Sequence, residues 1–151
     1  MNKKKVFIYY SLSGNGDYIA DYLSQKNIDI RKVIPKKTLP QNTFLRILIG
    51  GFLAGIKHKD TLINFDSDIS RYDEIIIGSP IWNNHLSCPI NTVLDMLVLT
   101  NKKITFILYS GSGNATKMAQ LLKEKYKNIN IISIKEPKTN LATQQMLKEL
   151  N

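Results

Sequence analysis

Near the start of the chain, the stretch Ser11-Leu12-Ser13-Gly14-Asn15-Gly16-Asp17 sets two hydroxyls, two glycines and an asparagine between an apolar run and a helix-like pattern. The chemistry open to it is the holding of a phosphate. Small residues let the backbone come close, the first N–H groups of a helix point outward unpaired, and the helix dipole favours negative charge. The same residue types also make ordinary turns and N-caps, so the stretch alone does not decide between the two. No Lys or Arg occurs from Val6 to Gln25. A phosphate here would therefore rest on amides and hydroxyls, with Asp17 close enough to repel it.

Two further stretches give this loop company. One is Gly78-Ser79-Pro80-Ile81-Trp82-Asn83-Asn84-His85, and the other is Ser110-Gly111-Ser112-Gly113-Asn114. Trp82 is the single tryptophan. It serves either as a cover for a strand end or as a flat surface on which a flat ring stacks. A phosphate at one end and a ring at the other describe a mononucleotide.

The elements that must position these stretches follow from periodicity. Five strands are expected at Lys5–Tyr10, Ile28–Ile34, Glu74–Ser79, Ile104–Tyr109 and Ile129–Ile134. The run Ile75-Ile76-Ile77 fits a strand covered on both faces, whereas Arg31 and Lys32 mark the second strand as an edge. Helical spacing appears in Ile19, Tyr22 and Leu23, in Ile90, Val93, Leu94, Leu97 and Val98, and in Ala115, Met118, Ala119, Leu122 and Tyr126. Leu141, Met146, Leu147 and Leu150 imply a closing helix. Strands alternating with helices give an α/β domain with a parallel sheet and helices on both faces, spanning residues 1–151 without a linker. The three polar stretches then share the carboxyl edge of that sheet, where open α/β sheets bind ligands.

One region is irregular, from Pro35 to Tyr72. Within it, Phe44 to Ile56 is apolar but too short to span a bilayer, which takes roughly 20 residues. An amphipathic crossover helix packed on the sheet is the first expectation. Contact with a membrane surface is the second, since Lys57, His58 and Lys59 follow directly.

Composition narrows the classes. A hydrophobic content of 43% argues against disorder, and one cysteine permits no internal disulfide. A reducing, cytoplasmic setting is expected, with neither a signal peptide nor a transmembrane segment. The 21 basic and 12 acidic residues give a net charge of +9, concentrated from Lys26 to Asp60 and from Lys102 to Lys138, while Thr61 to Asn101 is acidic. Such a surface attracts nucleic acid, anionic membrane or an acidic protein, or simply keeps the protein in solution. Without an Arg-rich groove or basic–aromatic alternation, nucleic acid is the least favoured partner.

With these residues in view, the chain resembles a short-chain flavodoxin or flavodoxin-like FMN-binding protein. Ser11 to Gly16 is similar to the family's phosphate loop. Tyr72 through Trp82 resembles its third strand and first flavin-flanking loop, and Ser110 to Asn114 falls where the second belongs. The resemblance implies a three-layer α/β/α fold with a five-stranded parallel sheet in the order 2-1-3-4-5. It implies that FMN is the cofactor, its phosphate held by Ser11, Ser13 and the amides of the Leu12, Gly14, Asn15 and Gly16 stretch. Trp82 would stack on the isoalloxazine, with Ser79, Pro80, Ile81, Asn83 and Asn84 shaping the loop. Ser110, Gly111, Ser112 and Gly113 would pass along the pyrimidine edge.

The chain also departs from that family. Gly16 stands where the family usually has threonine, which removes a hydroxyl from the phosphate. The second flavin loop lacks an aromatic residue. The chain is basic where electron-carrying members are acidic, which turns the expected redox protein partners toward acidic ones. The resemblance implies an electron-transfer protein. An NAD(P)H-dependent FMN or quinone reductase on the same scaffold is the alternative, and a flavin-free interaction module with a basic surface is the reading from another class.

Other chemistries find less support. His58 and His85 lack the company of a metal site. Cys88, beside Pro89 at a helix start, is either a thiol of lowered pKa or a packed, inert one. Ser13 lacks the glycine pattern of a hydrolase nucleophile elbow, and no Gly-Lys-Ser/Thr follows the first strand. The acidic residues that a response-regulator receiver needs at the end of its first strand are absent from Tyr9-Tyr10-Ser11.

Overall fold

The computed structural model describes residues 3–56, 58–140 and Leu147. Its centre is a parallel sheet built from β1 (Lys5–Tyr9), β2 (Asp29–Lys32), β3 (Glu74–Trp82), β5 (Lys103–Ser110) and β6 (Ile129–Lys135). These lie in the order β2-β1-β3-β5-β6, and the two-residue β4 (His85–Leu86) pairs antiparallel with the end of β3. The five long strands therefore keep the expected order. The difference is β4, too short to register as a periodic pattern, which shifts the numbering of the last two strands. The polar edge strand is β2, as Arg31 and Lys32 imply.

Alternation along each strand divides the core between the two faces of the sheet. Val6, Ile8, Ile75, Ile77, Phe106 and Leu108 join Ile90 and Val93 of α3 (Cys88–Met96) and Leu122 of α4 (Thr116–Lys125). Phe7, Tyr9, Ile76, Ile107 and Tyr109 face the other way, against Ile19, Ala20 and Leu23 of α1 (Asn15–Ser24). Burial on both faces explains why the central strands read as unbroken apolar runs. Of the expected closing helix, Leu147 is helical and fully buried in this second cluster, and Leu141, Met146 and Leu150 lie outside the described residues.

Two helical expectations need correction. The chain leaves α3 after Met96, with Leu97 already extended, so Val98 is exposed and does not extend the buried face. The crossover helix α2 (Thr43–Gly55) does exist, opened by the Asn42 side chain accepting from the Leu45 amide at 3.2 Å. It buries Gly50 and Ala54, however, and exposes most of its large apolar side chains. Small residues are what let its backbone approach the β3–β4 hairpin.

Long-range bonds pin the connections around β2. Lys36 donates its amide to the Thr61 carbonyl at 2.7 Å, and Ile63 donates to Ile34 at 2.8 Å. The Tyr72 hydroxyl donates to Asp29 Oδ2 at 2.6 Å. At the amino edge of the sheet Glu74 is buried, offset by Lys5 at 3.7 Å and Lys103 at 3.1 Å and by the Thr105 hydroxyl at 3.2 Å. A buried carboxylate is tolerated only with partners of this kind.

Candidate functional site

The register brings the three polar stretches together. Tyr9 pairs with Gly78, Gly78 with Ile107, and Pro80 with Tyr109, so the loops leave adjacent strands side by side. The first loop turns through Gly14, at φ 92°, into the first turn of α1. The Ser11 hydroxyl accepts from the Gly16 amide at 3.1 Å and the Asp17 amide at 3.3 Å. Ser11 therefore caps the helix start and sets the loop's shape. The amides of Leu12, Ser13, Gly14 and Asn15 have no partner among the described residues. Consecutive unpaired amides at a helix N-terminus form a concavity for an anion.

Below this loop lies an aromatic floor. A Cβ on Gly16 would stand 2.6 Å from the Tyr109 hydroxyl oxygen, 2.8 Å from Tyr9 Cδ2 and 3.0 Å from Ser11 Cβ. The Tyr109 hydroxyl donates to the Tyr10 carbonyl, tying β5 to the loop. Burial raises its pKa well above the ordinary tyrosine value and keeps it a donor. Position 16 thus has no room for a threonine.

Asp17 does not confront the phosphate position unopposed. It accepts from the Tyr9 hydroxyl at 2.8 Å and pairs with Lys32 at 2.7 Å. Burial works to raise its pKa. The hydrogen bonds from Lys32 and Tyr9 and the Lys32 charge outweigh that, holding the carboxyl below its ordinary range.

A cation that local sequence could not place also reaches the loop. Lys138 follows β6, and its amide donates to Asn15 Oδ1 at 3.1 Å. Its ammonium lies 3.5 Å from where a Cβ on Gly14 would stand. The loop therefore has a positive charge beside it, 123 residues away in sequence. Removing it weakens anion binding: Lys138→Ala is expected to raise the FMN dissociation constant by roughly 3–10-fold, within the range of one charge-assisted contact. It should also flatten the salt dependence of that constant, as read by fluorescence titration at several salt concentrations.

The second loop is a tight hairpin. Trp82 and His85 are paired, and Asn83 and Asn84 between them have φ of 47° and 62°. Two successive left-handed residues make the type I′ turn that suits a hairpin, and asparagine tolerates that region. Ser79 sits beneath the loop, fully buried, its hydroxyl meeting the Ser87 hydroxyl and amide, both at 3.1 Å. It braces β3 against the start of α3. Pro80, Ile81 and Trp82 are partly exposed, and Asn83 and Asn84 are exposed. The Trp82 ring meets Tyr10 edge-on at 5.9 Å, and Gly50 leaves it room against α2, since a Cβ there would lie 3.4 Å from the ring. A groove of about 700 Å³ runs along it, lined by Ile47, Leu48, Gly51, Phe52, Ile81 and Asn83.

The third loop is held from within. The Ser110 hydroxyl accepts from the Gly113 amide at 3.0 Å, and Ser112 accepts from Asn114 at 3.2 Å. Gly113 has φ 73°, and a Cβ there would stand 2.8 Å from Lys135 Cβ. The Gly111 and Ser112 amides have no partner among the described residues, so this loop can offer N–H groups to a ligand.

Cys88 is buried and its thiol is pushed up to about 11, chiefly by burial and then by the charge of Asp60. Of the two sequence readings, this is the packed thiol. At pH 8 about one thiol in a thousand is ionised at such a pKa. Labelling with a disulfide reagent should be at least about 100-fold slower than for a free peptide thiol and should accelerate on unfolding. Among the described residues no group of three His, Cys, Asp or Glu could hold a metal, and no helix is long and apolar enough to cross a membrane.

The model of one protein family, NADPH-dependent FMN reductase, matches residues 13–145, which is most of the chain. The chain belongs to that family. FMN is the cofactor that goes with this membership, and the amide nest, the aromatic floor and Trp82 suit it. The chain is also similar to a presumed flavoprotein from Bacteroides eggerthii, at 19% identity and a TM-score of 0.70, with 99% of this chain and 96% of that one covered. A flavoprotein in complex with FMN from Lactobacillus acidophilus is 24% identical, with a TM-score of 0.65 and coverage of 87% and 91%. Flavodoxin 1 from Bacillus cereus is 17% identical, with a TM-score of 0.50 and coverage of 97% and 93%. These likenesses place the chain in the flavodoxin-like fold. No curated protein matches it in sequence.

Proposed function

We propose that the protein binds FMN non-covalently across its three loops and passes electrons through it between redox partners. The observation that carries this reading is the run of unpaired amides from Leu12 to Asn15, with the Lys138 ammonium beside it. Bound FMN supplies one- and two-electron redox chemistry. The residues supply the rest. The first loop binds the phosphate, Trp82 offers a stacking surface fixed by Tyr10 and Gly50, and Gly111 and Ser112 present N–H groups to a polar ring edge.

A second reading has its own support. Ser110 to Gly113 contains no aromatic side chain, so this loop would not cover a bound ring and would leave space for a second flat molecule such as a nicotinamide. With the family match, this favours an NAD(P)H-dependent reductase.

The absorbance spectrum of the purified protein, before and after FMN is added, tests the shared core. A shifted flavin band with quenched flavin fluorescence is expected, and a colourless protein that takes up no FMN overturns it. Adding NADPH to the loaded protein then separates the modes. Oxidation no faster than with free FMN fits a carrier, whereas steady turnover assigns the reductase. As a carrier with a basic surface, the protein should favour acidic partners, at rates that fall as salt is added.

A further inference from the structure

The outward face of α2 inverts the ordinary pattern of a surface helix. Its one charged residue, Arg46, turns back toward the protein, Nε donating to the Pro40 carbonyl at 3.0 Å and Nη2 to the Gln41 carbonyl at 3.2 Å. The side chains that meet solvent are apolar: Phe44 is 73% exposed, Ile47 69%, Phe52 66% and Leu48 58%. Ile56 continues this face just past the helix. From Phe44 to Gly55 no polar side chain falls on the exposed arc. Apolar patches of this kind mark a surface that something else covers.

Charge indicates what covers it. No Asp or Glu occurs between Asp29 and Asp60, while Lys36 and Lys37 precede α2, and Lys57, His58 and Lys59 follow it. Lys36 and Lys37 are exposed and without an ion-pair partner among the described residues. Lys59 pairs with Asp95, and His58 lies 3.6 Å from Asp60. A second copy of this chain, docked by the same face, would set Lys36 and Lys37 against like charge, and the nearby acids Asp60 and Asp95 already face His58 and Lys59. An anionic lipid surface satisfies both features at once, because acyl chains accept the apolar side chains and headgroups meet the lysines.

We propose that α2 is a membrane-surface anchor, its apolar face entering the headgroup–acyl boundary of an anionic bilayer with Lys36 and Lys37 against the headgroups. The helix lies in the plane of the interface, since thirteen residues are too few to span. Trp82 lines the groove beside Ile47 and Phe52, so docking by this face brings the three-loop edge of the sheet next to the bilayer. The anchor itself does not depend on FMN.

Co-sedimentation of the full chain with vesicles tests this. The protein should pellet with vesicles of phosphatidylcholine and phosphatidylglycerol in equal parts, far more than with phosphatidylcholine alone, and added salt should weaken the binding. Phe44→Glu with Phe52→Glu, both on exposed positions, should lower partitioning at least about tenfold with an unchanged circular dichroism spectrum. Lys36→Glu with Lys37→Glu should do the same and remove the salt dependence. Equal binding to both vesicle types overturns the proposal, as does binding to neither. Dimerisation in sedimentation that Phe44→Glu abolishes overturns it in favour of a second copy.

Discussion

Replacing Gly16 by threonine, which would restore the hydroxyl common in flavodoxin phosphate loops, is expected to destabilise the protein and loosen the loop. A side chain at position 16 would meet Tyr109 and Tyr9 closer than atoms pack, and both rings are buried. Relief requires Tyr109 to move, which breaks its bond to the Tyr10 carbonyl. Overpacking of this kind costs about 1–3 kcal/mol, and orphaning a buried hydrogen-bonding group costs about as much again. A total of about 3 kcal/mol would lower Tm by roughly 6–12 °C in a domain of this size. Thermal unfolding followed by circular dichroism reads it, with FMN titration alongside. A threonine variant with unchanged Tm and tighter FMN binding would show that the floor yields and that Gly16 is a plain loss. Gly16→Ala is the milder version and should fall between the two.

Loss of the Trp82 ring should have the second large effect, this time on the cofactor and not on the fold. Trp82 is partly exposed and packs edge-on against Tyr10. Removing one stacking partner from a flavin costs about 2 kcal/mol, or roughly 30-fold in dissociation constant. Trp82→Ala is therefore expected to bind FMN about 30-fold more weakly, and Trp82→Phe to recover most of that. Quenching of flavin fluorescence on titration measures both. If Trp82→Ala binds FMN as tightly as the parent protein, the ring only covers the end of β3.

Much of the fold is legible in the sequence because its central strands are buried on both faces. Ile75-Ile76-Ile77 and the run from Ile104 to Tyr109 have few other ways to be satisfied. The three polar loops are legible for a related reason, since turns at strand ends require small and polar residues. What the sequence hides is contact between distant parts of the chain. Lys138 is an ordinary surface lysine until β6 carries it to Asn15. Gly16 reads as a missing hydroxyl until Tyr109, from another strand, is seen beneath it. In α2 the apolar count is plain, but which face meets the protein depends on Gly50 and Ala54. Local periodicity cannot show that the smallest residues form the contact, and β4 is simply too short to have a period.

The bond between Asn15 and Lys138 also bears on how the protein matures. Asn15 and Lys138 lie 123 residues apart in the sequence, so this contact is strongly non-local. The amino-terminal loop can form its turn early, yet its cation and the strap across it arrive only after β6 has joined the sheet. Completion of the candidate cradle is thereby coupled to the docking of β6 on the sheet. A chain in which β6 is undocked lacks the Lys138 charge beside that loop.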